Sequence, residues 1–296
     1  MLYTIHNEYL TVKIQDKGAE LWSVMDNDAT EYLWQGDEKF WGDRAPNLFP
    51  YIARMTKGQY EFQGKTYHMD IHGFAKDMIF KAEQISDSHI VFSITHTEDT
   101  YAQYPFQFCF SIIYKLVGSQ LSVTYYVRND DEKTMYFGIG GHPGFNVPFE
   151  GGASFEDYYL EFDSVKNVKR VGFSEDCFVT GALNAFALEG GVRLPLSHDM
   201  FDDDAIVLTN MASSVTLKSK TGVKSIRVSY PGMPYLGIWH MPKTDAPYIC
   251  IEPWSSLPSR KDVVENLETQ PRLAVLEAKC EYENGFTIEV IENRSQ

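Results

Sequence analysis

Two short segments, far apart in the chain, each place one proton-transfer residue at the edge of an apolar strand. In residues 140–146, His142 stands among glycines and a proline, which let the backbone approach a ligand and fix the direction of the ring. In residues 248–254, Glu252 ends an apolar run, where burial would raise the pKa of its carboxyl toward neutrality. One acid and one base are what the opening and reclosing of a sugar hemiacetal needs, because one proton leaves the C1 hydroxyl while another reaches the ring oxygen. The two residues therefore predict mutarotation, with no metal and no nucleophile.

Each of these residues alone also fits a structural role, since polar residues near strand ends are commonly just capped or exposed. His72 repeats the pattern of a histidine followed by glycine and an aromatic, and Arg54 closes the apolar, proline-punctuated stretch 46–54. Both side chains suit directional contacts with sugar hydroxyls. The acidic run 202–204 lacks the spacing and glycine of an EF-hand loop, so a calcium site is not expected there. Four aromatic residues are candidates for stacking on a pyranose face: Trp41, Phe145, Trp239 and Trp254.

Several common catalytic signatures are absent from the sequence. There is no GxSxG elbow, no GxxxxGK[ST] loop, no GxGxxG after a strand and no HExxH. The sequence therefore gives no indication of a serine hydrolase, a nucleotide-binding enzyme or a zincin metalloprotease.

The composition narrows the class of partner. A formal net charge of −15 over 296 residues argues against nucleic acid and against an anionic membrane surface, so a neutral small molecule is the simplest ligand. The four cysteines lie far apart without a CxxC pair, the first residues carry no signal-peptide pattern, and no apolar run approaches a membrane span. We therefore expect a reduced, cytoplasmic protein; the oligomeric state is left open.

Apolar and polar residues alternate with a period of two along much of the chain, as in residues 10–15, 90–95, 106–116 and 121–127. Only residues 37–41 and 260–267 look like short helices, so no βαβ repeat is supported. We predict an all-β fold, a large antiparallel β-sandwich whose conspicuous loops gather around a concave sheet face, formed by residues 1–296 as a single domain.

Taken together, the segments resemble the aldose 1-epimerase (galactose mutarotase) family, and more closely its LacX-like branch. The resemblance runs nearly end to end and is carried by residues 7–21, 46–54, 72–74, 104–106, 128–129, 141–146 and 251–254. It implies a galactose mutarotase-like super-sandwich with an open sugar-binding cleft and no cofactor.

The resemblance also implies roles for individual residues. His142 is the general acid that protonates the ring oxygen, and Glu252 is the general base that takes the C1 hydroxyl proton. Arg54, His72 and Asp203 bind the sugar, although Asp202 and Asp204 compete for the aspartate position. A segment around Glu268 looks like the glutamate segment of the galactose mutarotases, but it follows Glu252 in a polar stretch, and we reject it as the base. Gly144 and the Pro-Trp pair after Glu252 depart from the usual pattern and leave the preferred hexose open.

Three other functions compete with a mutarotase acting on free galactose or glucose. A non-catalytic sugar-binding or regulatory sandwich would keep the cleft but has no need of a matched acid and base. A hexose-6-phosphate 1-epimerase would need basic residues at the cleft rim, for which Arg44, Lys57 and Lys76 are candidates. A polysaccharide lyase or hydrolase is the weakest alternative, because glycoside hydrolysis usually requires two carboxylates.

Overall fold

Strands are the main secondary structure of the computed structural model, which describes residues 1–163 and 167–292. In chain order the strands are β1 Leu2–His6, β2 Leu10–Gln15, β3 Leu21–Asp26, β4 Asn47–Leu48, β5 Gln59–Phe62, β6 Lys65–His68, β7 Lys81–Ser86, β8 His89–Thr95, β9 Phe108–Val117, β10 Gln120–Asn129, β11 Met135–Phe137, β12 Gly140–Gly141, β13 Gly144–Asn146, β14 Tyr158–Phe162, β15 Lys169–Phe173, β16 Val179–Ala185, β17 Arg193–Pro195, β18 Ile206–Thr209, β19 Ser214–Ser219, β20 Lys224–Ser229, β21 Tyr235–Trp239, β22 Tyr248–Trp254, β23 Glu265–Asn266, β24 Ala274–Leu276 and β25 Glu281–Glu292. The prediction of an all-β fold is confirmed.

Two large antiparallel sheets form the body of the protein. The nine-stranded sheet has the order β17-β14-β19-β20-β25-β10-β9-β8-β7, and the eight-stranded sheet has the order β16-β15-β18-β21-β22-β12-β4, with β13 also paired to β22. Their facing side chains join one large hydrophobic cluster, as Tyr125 and Ile288 of the first sheet and Ile238 and Ile251 of the second illustrate. Smaller sheets, β1-β2-β3, β11-β24 and β23-β5-β6, complete the fold.

The period-two pattern sets which side chains enter the core. In β9 and β10 the predicted inward residues, from Phe108 to Leu116 and from Leu121 to Val127, are buried at every second position. The two strands pair in register from Gln120 opposite Val117, and Gly118 takes a positive φ of 57° in the turn between them. The alternation of residues 106–116 and 121–127 is thus confirmed, and the two strands form a hairpin.

The two predicted short helices are wrong. Residues 37–41 form a single turn, in which the N–H groups of Phe40 and Trp41 both donate to the carbonyl of Asp37. Residues 260–267 are interrupted by Asp262, whose φ is +59°, and they end in β23, which pairs with β5.

An α-helix, α1 Glu98–Gln103, occurs where none was predicted, and it begins with a capping box between Thr97 and Thr100. The short 3₁₀ turns in the described part of the chain are Thr56–Gly58, Ala75–Asp77, Phe155–Asp157 and His198–Phe201. Within residues 1–163 and 167–292, no helix is both long enough and apolar enough to cross a membrane. The organisation of residues 1–296 as a single domain stays a prediction.

Candidate active site

His142 and Glu252 meet at the floor of one cleft. Nε2 of His142 lies 3.1 Å from Oε2 of Glu252, and both side chains are buried. His142 follows β12, and Glu252 lies in β22, which runs between β21 and β12 in the eight-stranded sheet. The sequence predicted both residues separately, and the sheet brings them into contact.

Close backbone packing holds the histidine in this position. The N–H of His142 donates to the carbonyl of Pro46, and the N–H of Ile251 donates to the carbonyl of Pro143, which ties the histidine loop to the strand of Glu252. A Cβ on Gly141 would come within 2.6 Å of the Phe286 ring, so only glycine lets this segment lie against the nine-stranded sheet.

Burial acts on the two groups in opposite directions. It lowers the pKa of the His142 imidazole to about 4, although the charge of Asp204 opposes the shift. It raises the pKa of the Glu252 carboxyl well above its usual range, and Asp204 raises it further. In the protein without a ligand, both effects favour the uncharged forms, a neutral imidazole and a protonated carboxyl.

Atoms of the pair remain free to bind a ligand. Nδ1 of His142 is buried and has no hydrogen-bond partner among the residues that the structure describes. Oε2 of Glu252 is also buried, and although Nε2 of His142 lies 3.1 Å away, Oε2 makes no well-directed hydrogen bond within the described residues. A buried polar atom without a partner carries a desolvation cost, which a hydroxyl-rich ligand in the cleft would relieve.

The cleft above the pair has a volume of about 310 Å³, a size typical of small-molecule sites. Its walls are largely aromatic near the pair: the Trp41 ring lies 4.8 Å from the His142 ring, and the Trp239 ring stands nearly perpendicular to it at 5.6 Å. Trp254 lines the same cleft. Phe145, the fourth aromatic predicted to stack on a sugar, is instead fully buried in the core, because it pairs with Ile249 on the inner side of β22.

Arg54 and His72 both line the cleft beside the pair. The N–H of Ala53 donates to Nδ1 of His72 at 3.1 Å, so the proton of the neutral ring lies on Nε2. Desolvation lowers the pKa of His72 well below its usual value, and the neighbouring His142 lowers it further. The neutral His72 ring thus has its Nε2–H available as a donor, and Arg54, which is exposed, adds a cation to the cleft lining.

Two of the three consecutive aspartates line the cleft, Asp203 and Asp204, whereas Asp202 is not part of its lining. Asp203 is exposed, and Asp204 is half-buried with a φ of +74°. The thiol of Cys177 donates a hydrogen bond to Oδ2 of Asp204 at 2.7 Å. Of the two, Asp204 is the one whose charge acts on the pKa values of both His142 and Glu252.

Several sequence candidates lie away from the cleft. The guanidinium of Arg44 stacks on Trp22 at 3.8 Å, and Lys57 lies in the turn at 56–58, so only Lys76 of the three candidate phosphate ligands lines the cleft. Glu268 accepts a hydrogen bond from the N–H of Gln63 and is not part of the cleft lining.

The sequence reasoning missed the two cysteines at this site. Cys177 lines the cleft, and Cys250 lies two residues before Glu252 on the same face of β22. The alternation of β22 was the available signal for Cys250, whereas nothing in the local sequence pointed to Cys177.

Comparison with known proteins shows the family of this chain. The sequence pattern of the aldose 1-epimerase family matches residues 1–267. The chromosomal protein LacX of Lactococcus lactis subsp. lactis is 34% identical over 281 residues, which are 92% of this chain and 94% of LacX.

Two crystal structures superpose on the whole fold. The galactose mutarotase related enzyme from Lactobacillus acidophilus is 33% identical, with a TM-score of 0.93 over 100% of this chain and 99% of that one. The galactose mutarotase-like protein from Lactobacillus casei is 34% identical, with a TM-score of 0.93 over 98% of this chain and 100% of that one. With the family pattern spanning most of its length and relatives at this level of identity over nearly all of it, this chain belongs to the aldose 1-epimerase family.

Proposed function

We propose that this protein interconverts the α and β anomers of a free aldohexose such as galactose or glucose by general acid–base catalysis. The observation that carries the proposal is the buried contact of 3.1 Å between Nε2 of His142 and Oε2 of Glu252 at the floor of the cleft. A pure sugar-binding protein needs hydrogen-bonding groups but no such buried acid–base pair.

The proposed reaction moves two protons and forms no bond to the enzyme. Glu252 takes the proton of the C1 hydroxyl while His142 gives a proton to the ring oxygen, and the bond between C1 and the ring oxygen breaks. Rotation about C1–C2 then turns the other face of the aldehyde toward the O5 hydroxyl. On reclosure both proton transfers reverse, so the opposite anomer leaves and the pair returns to its starting state.

The proton count of the pair fits both halves of this cycle. The pair opens the ring as an imidazolium and a carboxylate, and it closes the ring as a neutral imidazole and a protonated carboxyl. These two states differ only in the position of one proton. Because the two atoms lie 3.1 Å apart, that proton can pass between them without any change of net charge. Burial favours the state with a neutral imidazole and a protonated carboxyl, and in that state the pair still holds the one proton that catalysis uses.

We assign the binding of the sugar hydroxyls to Arg54, His72 and Asp203, which line the cleft around the pair. The Nε2–H of neutral His72 donates, the guanidinium of Arg54 offers several donors, and the carboxylate of Asp203 accepts. The cysteines are unpaired thiols, and we keep the cytoplasm as the proposed location.

Polarimetry of freshly dissolved α-D-galactose and α-D-glucose tests the proposal. The protein should speed the decay of optical rotation without changing its final value. Galactose 6-phosphate and glucose 6-phosphate belong in the same series, since Lys76 and Arg54 line the cleft. Acceleration with the two sugar phosphates alone would mean that the substrate is a hexose 6-phosphate and not a free sugar. No acceleration with any of the four sugars would favour the non-catalytic sugar-binding protein.

The Glu252→Gln variant separates an enzyme from a binder. It should lose nearly all of the acceleration while equilibrium dialysis still detects bound sugar, because the amide keeps hydrogen-bonding capacity without serving as a base. Glu268→Gln is the matched control, since Glu268 lies outside the cleft and should keep the wild-type rate. Equal rates for wild type and Glu252→Gln would contradict the assignment of the base.

A further inference from the structure

A third ligand-forming side chain lies beside the proposed catalytic pair. The Sγ of Cys250, a ring nitrogen of His142 and a carboxylate oxygen of Glu252 all lie within 4.8 Å of one another. Cys250 and Glu252 project from the same face of β22, and all three residues are buried. No other group of three such residues meets this geometry in the described parts of the chain.

The spacing is close to that of a tetrahedral metal site. Zinc bonds of roughly 2.0–2.3 Å to nitrogen, oxygen and sulfur imply separations of about 3.3–3.8 Å between ligand atoms. The nitrogen and oxygen of the pair are already 3.1 Å apart. Adjustments on the order of 1 Å in side-chain position would bring the three atoms to bonding distance.

The chemistry of the three side chains favours a soft or borderline cation. A thiolate, an imidazole and a carboxylate together are typical of zinc sites, whereas Mg²⁺ and Ca²⁺ require oxygen ligands. Glu252 adds an independent indication, because its buried Oε2, although 3.1 Å from Nε2 of His142, makes no well-directed hydrogen bond in residues 1–163 and 167–292. A bound cation would compensate this atom.

We propose that His142, Cys250 and Glu252 form a binding site for a thiophilic divalent cation such as Zn²⁺ or Cd²⁺, and that the bound ion inhibits the protein. The ion takes three ligands from the protein, displaces the protons of the Cys250 thiol and the Glu252 carboxyl into solvent, and leaves its fourth position toward the cleft. Because it occupies both the acid and the base, neither can exchange a proton with a sugar. The binding stands on its own, and the inhibition rests on the proposed function.

Titration of the full-length protein with Cd²⁺ tests the site directly through the ultraviolet charge-transfer band of a cadmium thiolate. One equivalent should saturate the band in the wild type. Cys250→Ala and Cys250→Ser should abolish the band and weaken binding more than about tenfold, since loss of a direct ligand exceeds the loss caused by an outer contact. Circular dichroism checks that both variants fold.

Two other cysteines provide matched controls. Cys177→Ala removes the thiol that lines the cleft beside Asp204, and Cys280→Ala removes an exposed thiol that is not part of the cleft lining. Both variants should keep the band. A band lost in Cys177→Ala and kept in Cys250→Ala would overturn the proposal, and so would the absence of a band in the wild type.

Polarimetry in the presence of Zn²⁺ tests the inhibition. Zn²⁺ should slow wild-type mutarotation, a chelator should restore it, and Mg²⁺ should have no effect. The Cys250→Ser variant should lose this sensitivity relative to its own metal-free rate. A Cys250-dependent cadmium band in a protein without mutarotase activity would overturn the proposed function and still support the metal site. Normal mutarotation without a cadmium band would overturn the metal site and still support the proposed function.

Discussion

Two glutamates in this protein are equally buried and have opposite surroundings. Glu252 and Glu265 each expose 1% of their surface. Burial alone would raise the pKa of Glu265, but two hydrogen bonds from the Arg260 guanidinium, at 3.0 and 2.8 Å, together with its charge, lower it instead. Glu252 faces a neutral imidazole, and its pKa stays raised.

The difference is the one expected between a structural carboxylate and a carboxyl that takes part in catalysis. Glu265 joins the segment around Arg260 to β23, and its charge is matched by the guanidinium. Glu252 lies where a charge is unfavourable, and a glutamine there would fill the same space without that cost. A residue that reduces stability in a cleft is expected where its chemistry is used.

The largest expected effect is on the rate. Glu252→Gln and His142→Asn should each reduce the polarimetric rate about 10²–10⁴-fold, because each removes one of the two proton-transfer groups. The double variant should be scarcely slower than either single variant, since acid and base act as one unit. Glu265→Gln should keep the wild-type rate at temperatures where it is folded. A similar loss of rate in Glu265→Gln would contradict the different roles of the two glutamates.

The same substitutions should change stability in opposite directions. At about pH 7, Glu252→Gln should raise the free energy of unfolding by about 1–2 kcal/mol, because it removes a buried carboxyl that is ionised in the unfolded chain. Glu265→Gln should lower it by about 1.5–3 kcal/mol, because it breaks charged hydrogen bonds to Arg260. Urea unfolding measures both values, and a destabilised Glu252→Gln would show that Glu252 is structural.

The two stability differences should both shrink as the pH falls. The folded pKa of Glu252 is raised, so its unfavourable contribution is absent below the usual value of 4.5 and grows as the pH rises above it. The folded pKa of Glu265 is lowered, so its favourable contribution is present above 4.5 and is lost as the pH falls through the folded pKa. Urea unfolding at a series of pH values from about 3 to about 7 tests both signs. A Glu252→Gln gain that is independent of pH would contradict the raised pKa.

The smallest expected effect concerns the aspartates near Glu252. The charge of Asp204 raises the pKa of Glu252. In a plot of the polarimetric rate against pH, Asp204→Asn should therefore shift the decline at alkaline pH to lower pH, by less than about one unit. Asp203→Asn, at the neighbouring exposed position, should leave this decline in place and weaken sugar binding instead. Equal shifts in the two variants would mean that the field at Glu252 does not depend on Asp204.

Period-two alternation made the strands predictable, because one buried face per strand fixes which residues point inward, as in β9 and β10. The short helices were not predictable in this way: a single left-handed residue, Asp262, ends the helical pattern at 260–267. His142 and Glu252 were identifiable as candidates from their local sequence. Their contact was not, since it depends on β12 lying beside β22 in the sheet.

The most direct test of the account is an infrared measurement of Glu252 without substrate. The difference spectrum between wild type and Glu252→Gln at neutral pH should contain the C=O stretch of a protonated carboxyl. The difference between wild type and Glu265→Gln should contain carboxylate bands and no such stretch, apart from the amide bands that glutamine adds to both spectra. A carboxylate signal from Glu252 in the first spectrum would contradict the claim that this buried carboxyl holds a transferable proton.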